Sequence, residues 1–242
     1  MSEYITGRKP VTEALEAGQP IDLVLVRKGE TQALQEIVHR AGEQGVACRH
    51  VSKNELDRYC PGNNQGVAAR LTKSRIVGLD ELIRSVRSTP MPLLLALDQV
   101  QDPGNAGTLA RTLLALGGCG IILPKNNSAH LGSGAYKASA GAISRLPLSR
   151  VTNMARTLDE LKKQGFWIYG AGSKQGEDVF GFDPVFPAVL VLGNEEKGIR
   201  PNVFKRCDVN LRIPMPGGFE SLNVAQAGAI IMAQFMRRAG IK

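Results

Sequence analysis

Residues 93–124, LLLALDQVQDPGNAGTLARTLLALGGCGIILP, read as a strand, a helix and a second strand in succession. The opening LLLALD (93–98) is apolar almost throughout, and a run this short bounded by polar residues fits a strand covered on both faces. A helix follows from about Asn105, whose side chain suits an N-cap, and CGIILP (119–124) is the next apolar run. Strand, crossover helix and strand in this order give a parallel pair. FWIYGAG (166–172), AVLVLGNE (188–195) and VNLRIP (209–214) repeat the pattern, with helical stretches between them. From residue 92 to 242 the chain is therefore expected to fold as an α/β domain with a mostly parallel sheet.

Upstream lies a smaller α/β unit, residues 1–72. A helix runs from Pro10 to Gly18, IDLVLV (21–26) is a strand, and a second helix extends from Thr31 to near Gly45. After the strand VACRHV (46–51), Ser52-Lys53-Asn54-Glu55 has the form of a capping box, in which the Ser52 hydroxyl takes the amide of Glu55 and Glu55 reaches back. GVAARL (66–71) closes the unit. Between the two units, residues 73–91 turn polar and basic, with Met91 between two prolines, and are expected as a linker or peripheral helix.

Composition sets the outer limits. A hydrophobic content of 43% supports a packed core and argues against disorder. No apolar run approaches the roughly 18 residues that span a bilayer, so a membrane partner is not expected. Cys48, Cys60, Cys119 and Cys207 are scattered, which gives neither a zinc-ligand spacing nor a disulfide framework and fits a reducing cytoplasm. The net charge of +8 favours a polyanionic partner, because neutralised phosphates release counterions.

Three glycine-bearing loops each follow a strand. In the first, Gly107 and Arg111 lie four residues apart on one helix face, so the guanidinium can lean back over bare backbone beside a helix N-terminus, a grip for phosphate. An ordinary cap with a surface arginine is the alternative. In the second, Gly193 and Gly198 bracket Asn194, Glu195, Glu196 and Lys197; the two-glycine spacing resembles a P-loop, but Ile199-Arg200 stand where Lys and Ser or Thr are required. In the third, Pro216, Gly217 and Gly218 precede Ser221 and Asn223, and the helix that follows is apolar on nearly every side through Met236. Such a helix is buried on more than one side, with Ser221 a possible N-cap. In open α/β sheets, ligands bind at the carboxyl ends of the strands. All three loops lie there, and their convergence on one polar site is the expectation.

Together the three segments resemble the motifs of the SpoU (TrmH-like) family of RNA ribose 2′-O-methyltransferases: Asn105, Gly107 and Arg111; Gly193, Glu195 and Gly198; and Ile213-Pro214-Met215 with Ser221-Leu222-Asn223-Val224. GRKPVTEAL (7–15) and QGVAARL (65–71) resemble that family's substrate-binding domain, although Asn64 stands where a His is common and is given no role. The resemblance implies a SPOUT-type carboxy-terminal domain whose chain is threaded into a deep trefoil knot. It also implies a homodimer, and S-adenosylmethionine held bent against main chain around Leu192, Gly193, Ile213, Met215 and Leu222. Within the family the chain looks most like the members that methylate a guanosine of 23S ribosomal RNA.

The reaction so implied is in-line attack of a ribose hydroxyl on an activated methyl, which requires alignment and neither metal nor covalent nucleophile. Arg111 is the implied catalytic residue. A guanidinium stays protonated at ordinary pH, which favours a clamp on phosphate and developing alkoxide, with a role as base left open. Asn105, Glu195, Asn223 and Ser221 are expected to orient it and the ribose. Arg8, Lys9, Lys137 and Arg145 fit RNA contacts and a solvated face equally well, and His39, His50 and His130 lie outside the motifs as structural or surface residues, with only His130, in SAHLGSGAYK, kept open for a further role. Three other readings stand beside this one: a transfer RNA substrate, a nicotinamide-dependent oxidoreductase, and a silent RNA-binding protein. The DPGNAGTLAR spacing lacks Gly-x-Gly-x-x-Gly, which counts against the oxidoreductase.

Overall fold

A computed structural model describes residues 3–19, 21–29, 31–71, 75–172, 176–217 and 221–240. The amino-terminal unit contains β1 (Glu3–Thr6), α1 (Arg8–Glu16), β2 (Ile21–Arg27), α2 (Gln32–Glu43), β3 (Ala47–Val51), α3 (Lys53–Tyr59) and β4 (Val67–Leu71). Its sheet has the order β1-β4-β2-β3, with β2 and β3 parallel and the other pairs antiparallel. Val11 and Leu15 of α1 and Leu34 and Ile37 of α2 close on one face, and Leu56 of α3 seals the other. Half of the expected capping box forms: Glu55 donates its amide to Ser52 Oγ at 3.2 Å, while its carboxylate pairs with Arg49 instead of reaching back.

The carboxy-terminal unit follows as β5 (Arg75–Ile76), α4 (Leu79–Val86), β6 (Leu93–Asp98), α5 (Pro103–Ala115), β7 (Gly120–Pro124), α6 (Ser133–Ala138), α7 (Ala142–Arg145), β8 (Pro147–Val151), α8 (Met154–Lys163) and β9 (Trp167–Ala171). It ends with β10 (Glu177–Asp178), β11 (Ala188–Gly193), α9 (Pro201–Phe204), β12 (Val209–Arg212) and α10 (Val224–Arg238). Every pair in the sheet β10-β12-β9-β11-β6-β7-β8-β5 is parallel. Alternation along the central strands divides the core. Leu93, Leu95 and Leu97 of β6 and Leu190 and Leu192 of β11 face α5 and α10, whereas Leu94, Ala96, Val189 and Val191 face α4 and α8. Each large aliphatic side chain so buried contributes about 1.5–3 kcal/mol.

The polar stretch expected as a linker carries structure of its own. β5 pairs with β8, and Leu82 and Val86 of α4 are fully buried against the large sheet. They lie four residues apart, a helical stripe that the surrounding basic residues obscure in the sequence. The strand order also sets the return path of the chain. β12 lies beyond β9, yet α10 packs on α5 and touches β11, so the chain crosses back over the sheet after β12. That crossing belongs to the segment the resemblance expects to be threaded.

Candidate active site

The loops after β6, β11 and β12 meet at the carboxyl ends of those strands. Asp102 caps α5 by accepting the amide of Asn105 at 2.6 Å, with Pro103 in the first turn. The helix thus starts before Asn105, contrary to the N-cap expected there, and the Asn105 side chain is released for other contacts. Its Nδ2 donates to Glu195 Oε1 at 3.0 Å, and its Oδ1 accepts from Asn223 Nδ2 at 3.0 Å. Asn223 is at the same time the N-cap of α10, accepting from the amides of Ala225 (2.8 Å) and Gln226 (3.3 Å). Ser221, the N-cap candidate, is exposed and makes no hydrogen bond to a described residue. One chain of hydrogen bonds therefore ties all three loops together.

The loop after β11 is shaped by two further devices. Asn194 Oδ1 accepts from the amides of Glu196 and Lys197, both at 3.1 Å, and its Nδ2 donates to Gln99 O at 3.0 Å. A Cβ on Gly193 would overlap the backbone of Gly198 and Ile199, so only glycine permits the bridge between Asn194 and Gly198. The bareness of Gly193 serves its own loop. Gly198, at φ +67°, faces open space.

Asp98, fully buried at the end of β6, anchors this loop from below. Its Oδ1 accepts from Arg200 Nη2 (2.5 Å) and Nε (3.0 Å), and its Oδ2 accepts from the Arg200 amide (2.9 Å). Neither residue is among those that the sequence motifs single out. A carboxylate at the end of an otherwise apolar strand is the available signal, since a buried charge requires a partner.

Arg111 is exposed and has no hydrogen bond or ion pair among the described residues. Gly107 does not offer it open backbone, because a Cβ there would overlap Ala135 O and lie 2.8 Å from Ala138 Cβ of α6. That glycine lets α5 and α6 pack closely, so its bareness serves helix packing. Leu192 points into the core, so only its main chain can reach a ligand, and Ile213 packs against the same core. Met215 is half-buried, Leu222 is exposed, and Gly218 lies outside the described residues. Lys137 Nζ donates to Glu43 O of the amino-terminal unit at 3.3 Å and so joins the two units. His130 lies beside Gly132 and follows Ala129, whose amide donates to Val100 O of the loop after β6 at 2.8 Å.

The mouth of the site is a cleft of about 370 Å³ walled by Gln99, Gln101, Asp102 and residues 194–197. Three carboxylates, Asp102, Glu195 and Glu196, stand there against one lysine, Lys197. Such a mouth favours a cationic small molecule: at 4 Å two unit charges interact by about 4 kcal/mol at an effective dielectric of ~20. No group of His, Cys, Asp and Glu able to hold a metal occurs among the described residues.

Comparison with known proteins places this geometry. Residues 92–233 match the model of the SpoU rRNA Methylase family, and residues 4–77 match that of the RNA 2′-O ribose methyltransferase substrate-binding domain. A Bacillus subtilis protein assigned to the TrmH family of tRNA/rRNA methyltransferases is 33% identical over 98% of this chain and 96% of its own length. Among solved structures, an AdoMet-bound rRNA methyltransferase from Sinorhizobium meliloti is similar at 25% identity and a TM-score of 0.62, over 98% of this chain and 87% of that one. A TrmH/SpoU tRNA-modifying enzyme of A. aeolicus, 28% identical with a TM-score of 0.57, covers 67% of this chain and 82% of its own. The chain belongs to the SpoU rRNA methylase family.

Proposed function

We propose that this protein transfers the methyl group of S-adenosylmethionine to the ribose 2′-hydroxyl of a guanosine in 23S ribosomal RNA, acting as a homodimer. The observation that carries the reading is the hydrogen-bonded chain Glu195–Asn105–Asn223, which draws the three motif loops to one place. The residues present suit the donor. The acidic mouth favours a sulfonium, while the main chain around Leu192, Gly193 and Gly217, with Ile213, Met215 and Leu222, offers polar groups and apolar surface to an adenine. When bound, S-adenosylmethionine supplies a methyl already activated for transfer.

In this reading Arg111, without a hydrogen bond or ion pair among the described residues, clamps the phosphate beside the target ribose and stabilises the developing alkoxide. Asn105 is held by a donor on one side and an acceptor on the other, so it presents a fixed amide, and Glu195, Asn223 and Ser221 complete the frame that orients the ribose. Residues 1–72 would bind RNA and 92–242 would carry the reaction, with 73–91 joining them. Ile230 and Met236 of α10, half-covered within one chain, would meet a second subunit. The crossing of α10 over the sheet would be the knotted segment.

Ribosomal RNA is favoured because the S. meliloti rRNA enzyme matches both units, whereas the A. aeolicus tRNA enzyme matches about two thirds of the chain. The relatives carry a joint tRNA/rRNA description, so transfer RNA is the second reading. Ribosomal and transfer RNA from a strain lacking the gene, incubated with the protein and labelled donor, distinguish the two. Label at an alkali-resistant guanosine linkage in 23S RNA supports the proposal; label in transfer RNA alone moves the assignment; label in neither defeats it. A monomeric mass by light scattering would defeat the homodimer.

A further inference from the structure

Asn194, the first residue after β11, has every hydrogen-bonding place of its side chain filled. Its Oδ1 accepts from the amides of Glu196 and Lys197, and its Nδ2 donates to Gln99 O at 3.0 Å and to Glu195 Oε2 at 3.3 Å. A carboxamide offers two acceptor sites and two donor hydrogens, so any other side chain of this size loses part of the set. The two halves of the amide do different work. Oδ1 folds the turn after β11 upon itself, a local task that an aspartate or serine oxygen also performs. Nδ2 reaches outward, to the loop after β6 and to a carboxylate at the centre of the site.

Gln99 shows that this outward tie is built. It takes φ +64°, in the left-handed region that a side chain rarely adopts, directly after the buried Asp98. In that conformation its carbonyl accepts from Asn194. Uncommon backbone of this kind persists only where surrounding bonds hold it, and it gathers at functional sites. Gln99 also walls the mouth together with Asn194 and Glu195.

The consequence falls on Glu195. Its side chain is exposed, and an exposed glutamate exchanges among many rotamers unless something holds it. Here each carboxylate oxygen has its own amide donor: Asn105 Nδ2 reaches Oε1 at 3.0 Å from α5, and Asn194 Nδ2 reaches Oε2. A carboxylate held by one bond can swivel about it, whereas two donors from two loops fix its plane. Asn105 passes the constraint on, because its Oδ1 accepts from Asn223. Rotation of Glu195 therefore disturbs the whole hydrogen-bonded chain.

We propose that Asn194 is a positioning residue for methyl transfer, acting through Glu195: its Nδ2, steadied by the Gln99 carbonyl, sets the carboxylate that orients the target ribose. This rests on the reading of Glu195 as part of the frame around the ribose, and it adds to that frame a residue that does not itself touch substrate. Turnover depends on the donor half of the Asn194 amide, and affinity for the methyl donor does not.

The test is a double-mutant cycle on the full chain, with RNA from a strain lacking the gene. Asn194→Asp keeps an acceptor for the two turn amides and removes the donor, and Asn194→Ser does the same without adding charge. Each should lower kcat by about tenfold or more, as small misplacements of orienting groups do, with calorimetric affinity for S-adenosylmethionine within about twofold of the parent. In a Glu195→Ala background the same substitutions should lower kcat by less than about twofold, because the residue they act through is gone. Full penalties in both backgrounds would mark a merely structural residue and overturn the proposal, as would a loss confined to cofactor affinity. A second arm needs neither donor nor RNA. In ¹⁵N spectra of the free protein, Asn194→Ser should shift the side-chain amide resonance of Asn105 when Glu195 is present and leave it in place in the Glu195→Ala protein. An Asn105 resonance indifferent to Asn194 in both overturns the proposal even if the parent methylates RNA normally. A parent that transfers no methyl defeats the enzymatic reading instead, and the spectra still decide whether Asn194 holds Glu195.

Discussion

Replacing Arg200 by alanine should destabilise the carboxy-terminal unit by about 3 kcal/mol. Asp98 is fully buried, and apart from the Arg200 amide its oxygens are satisfied by the guanidinium. Removing one partner of a buried pair costs about 3–5 kcal/mol because the remaining charge is stranded. The arginine side chain is 37% exposed, so water can enter in its place, and the expected loss falls at the lower end of that range. Trp167 is the single tryptophan and lies in β9, so its fluorescence follows the unit that contains the pair. With a urea slope of about 2 kcal/mol per molar, the midpoint should drop by about 1.5 M. Arg200→Lys keeps a charge but loses the fork, and should fall about halfway. Asp98→Leu/Arg200→Met should recover most of the loss, since apolar replacement of a buried pair is often neutral or stabilising. A change below about 1 kcal/mol for Arg200→Ala, or a double variant no more stable than the single, would refute the reasoning.

Four further outcomes are expected. Arg111→Ala should leave the unfolding free energy within about 0.5 kcal/mol of the parent, because the side chain has no partner among the described residues, while methyl transfer falls by at least ~100-fold and calorimetric affinity for S-adenosylmethionine holds; lost affinity with normal saturated turnover would contradict this. Asn105→Asp sets a carboxylate against Glu195 Oε1, where the parent amide donates at 3.0 Å, and two such groups share a proton. Its transfer rate should be depressed at pH 8 and partly recovered near pH 6, and a pH profile parallel to the parent's would argue against the network. Gly228→Val would drive a side chain into Leu109 and to within about 2.9 Å of Leu192, so thermal unfolding should move down by an amount equivalent to ~2 kcal/mol or more. Burial pushes the Cys207 thiol up to about 12, so iodoacetamide at pH 8 should label it only after unfolding. The native state keeps a proton that the unfolded chain releases above pH ~9, and stability should therefore decline as pH rises from 9 towards 12.

Much of the fold is legible because buried parallel strands leave continuous apolar runs, and five such runs register in the sequence as strands of one sheet. The rule that ligands gather at carboxyl ends then brings three loops together without any coordinates. Local chemistry is harder to read. Asp102 and Asn105 are both good N-caps, and Pro103 is the deciding signal, since proline favours the first helical turn and so places the cap just before it. Basic residues around Leu82 and Val86 conceal an apolar stripe, so composition suggests a linker where a core-facing helix stands. Gly107 and Gly193 read as openings for a ligand, yet each is filled by another part of the chain. The hydrogen bonds that define the site join residues 118 and 90 positions apart, a separation that no spacing within one motif encodes.

A methyl donor with a sulfonium and an RNA acceptor make opposite electrostatic demands on the protein that must bring them into contact. A single cleft of either sign would attract one and repel the other. Here the two demands are met in different places: three carboxylates outnumber Lys197 at the mouth, and other cations of the +8 chain stand away from it, among them Arg8, Arg27 and Lys53 of the amino-terminal unit. The proposed role of Arg111 fits such a division: it lies on the same helix as Asn105, has no hydrogen bond or ion pair among the described residues, and as a phosphate clamp would hold one phosphate without cancelling the acidic mouth. On this view the amino-terminal unit is part of the catalytic design, because an acidic active site can act on RNA only if another surface bears the polyanion.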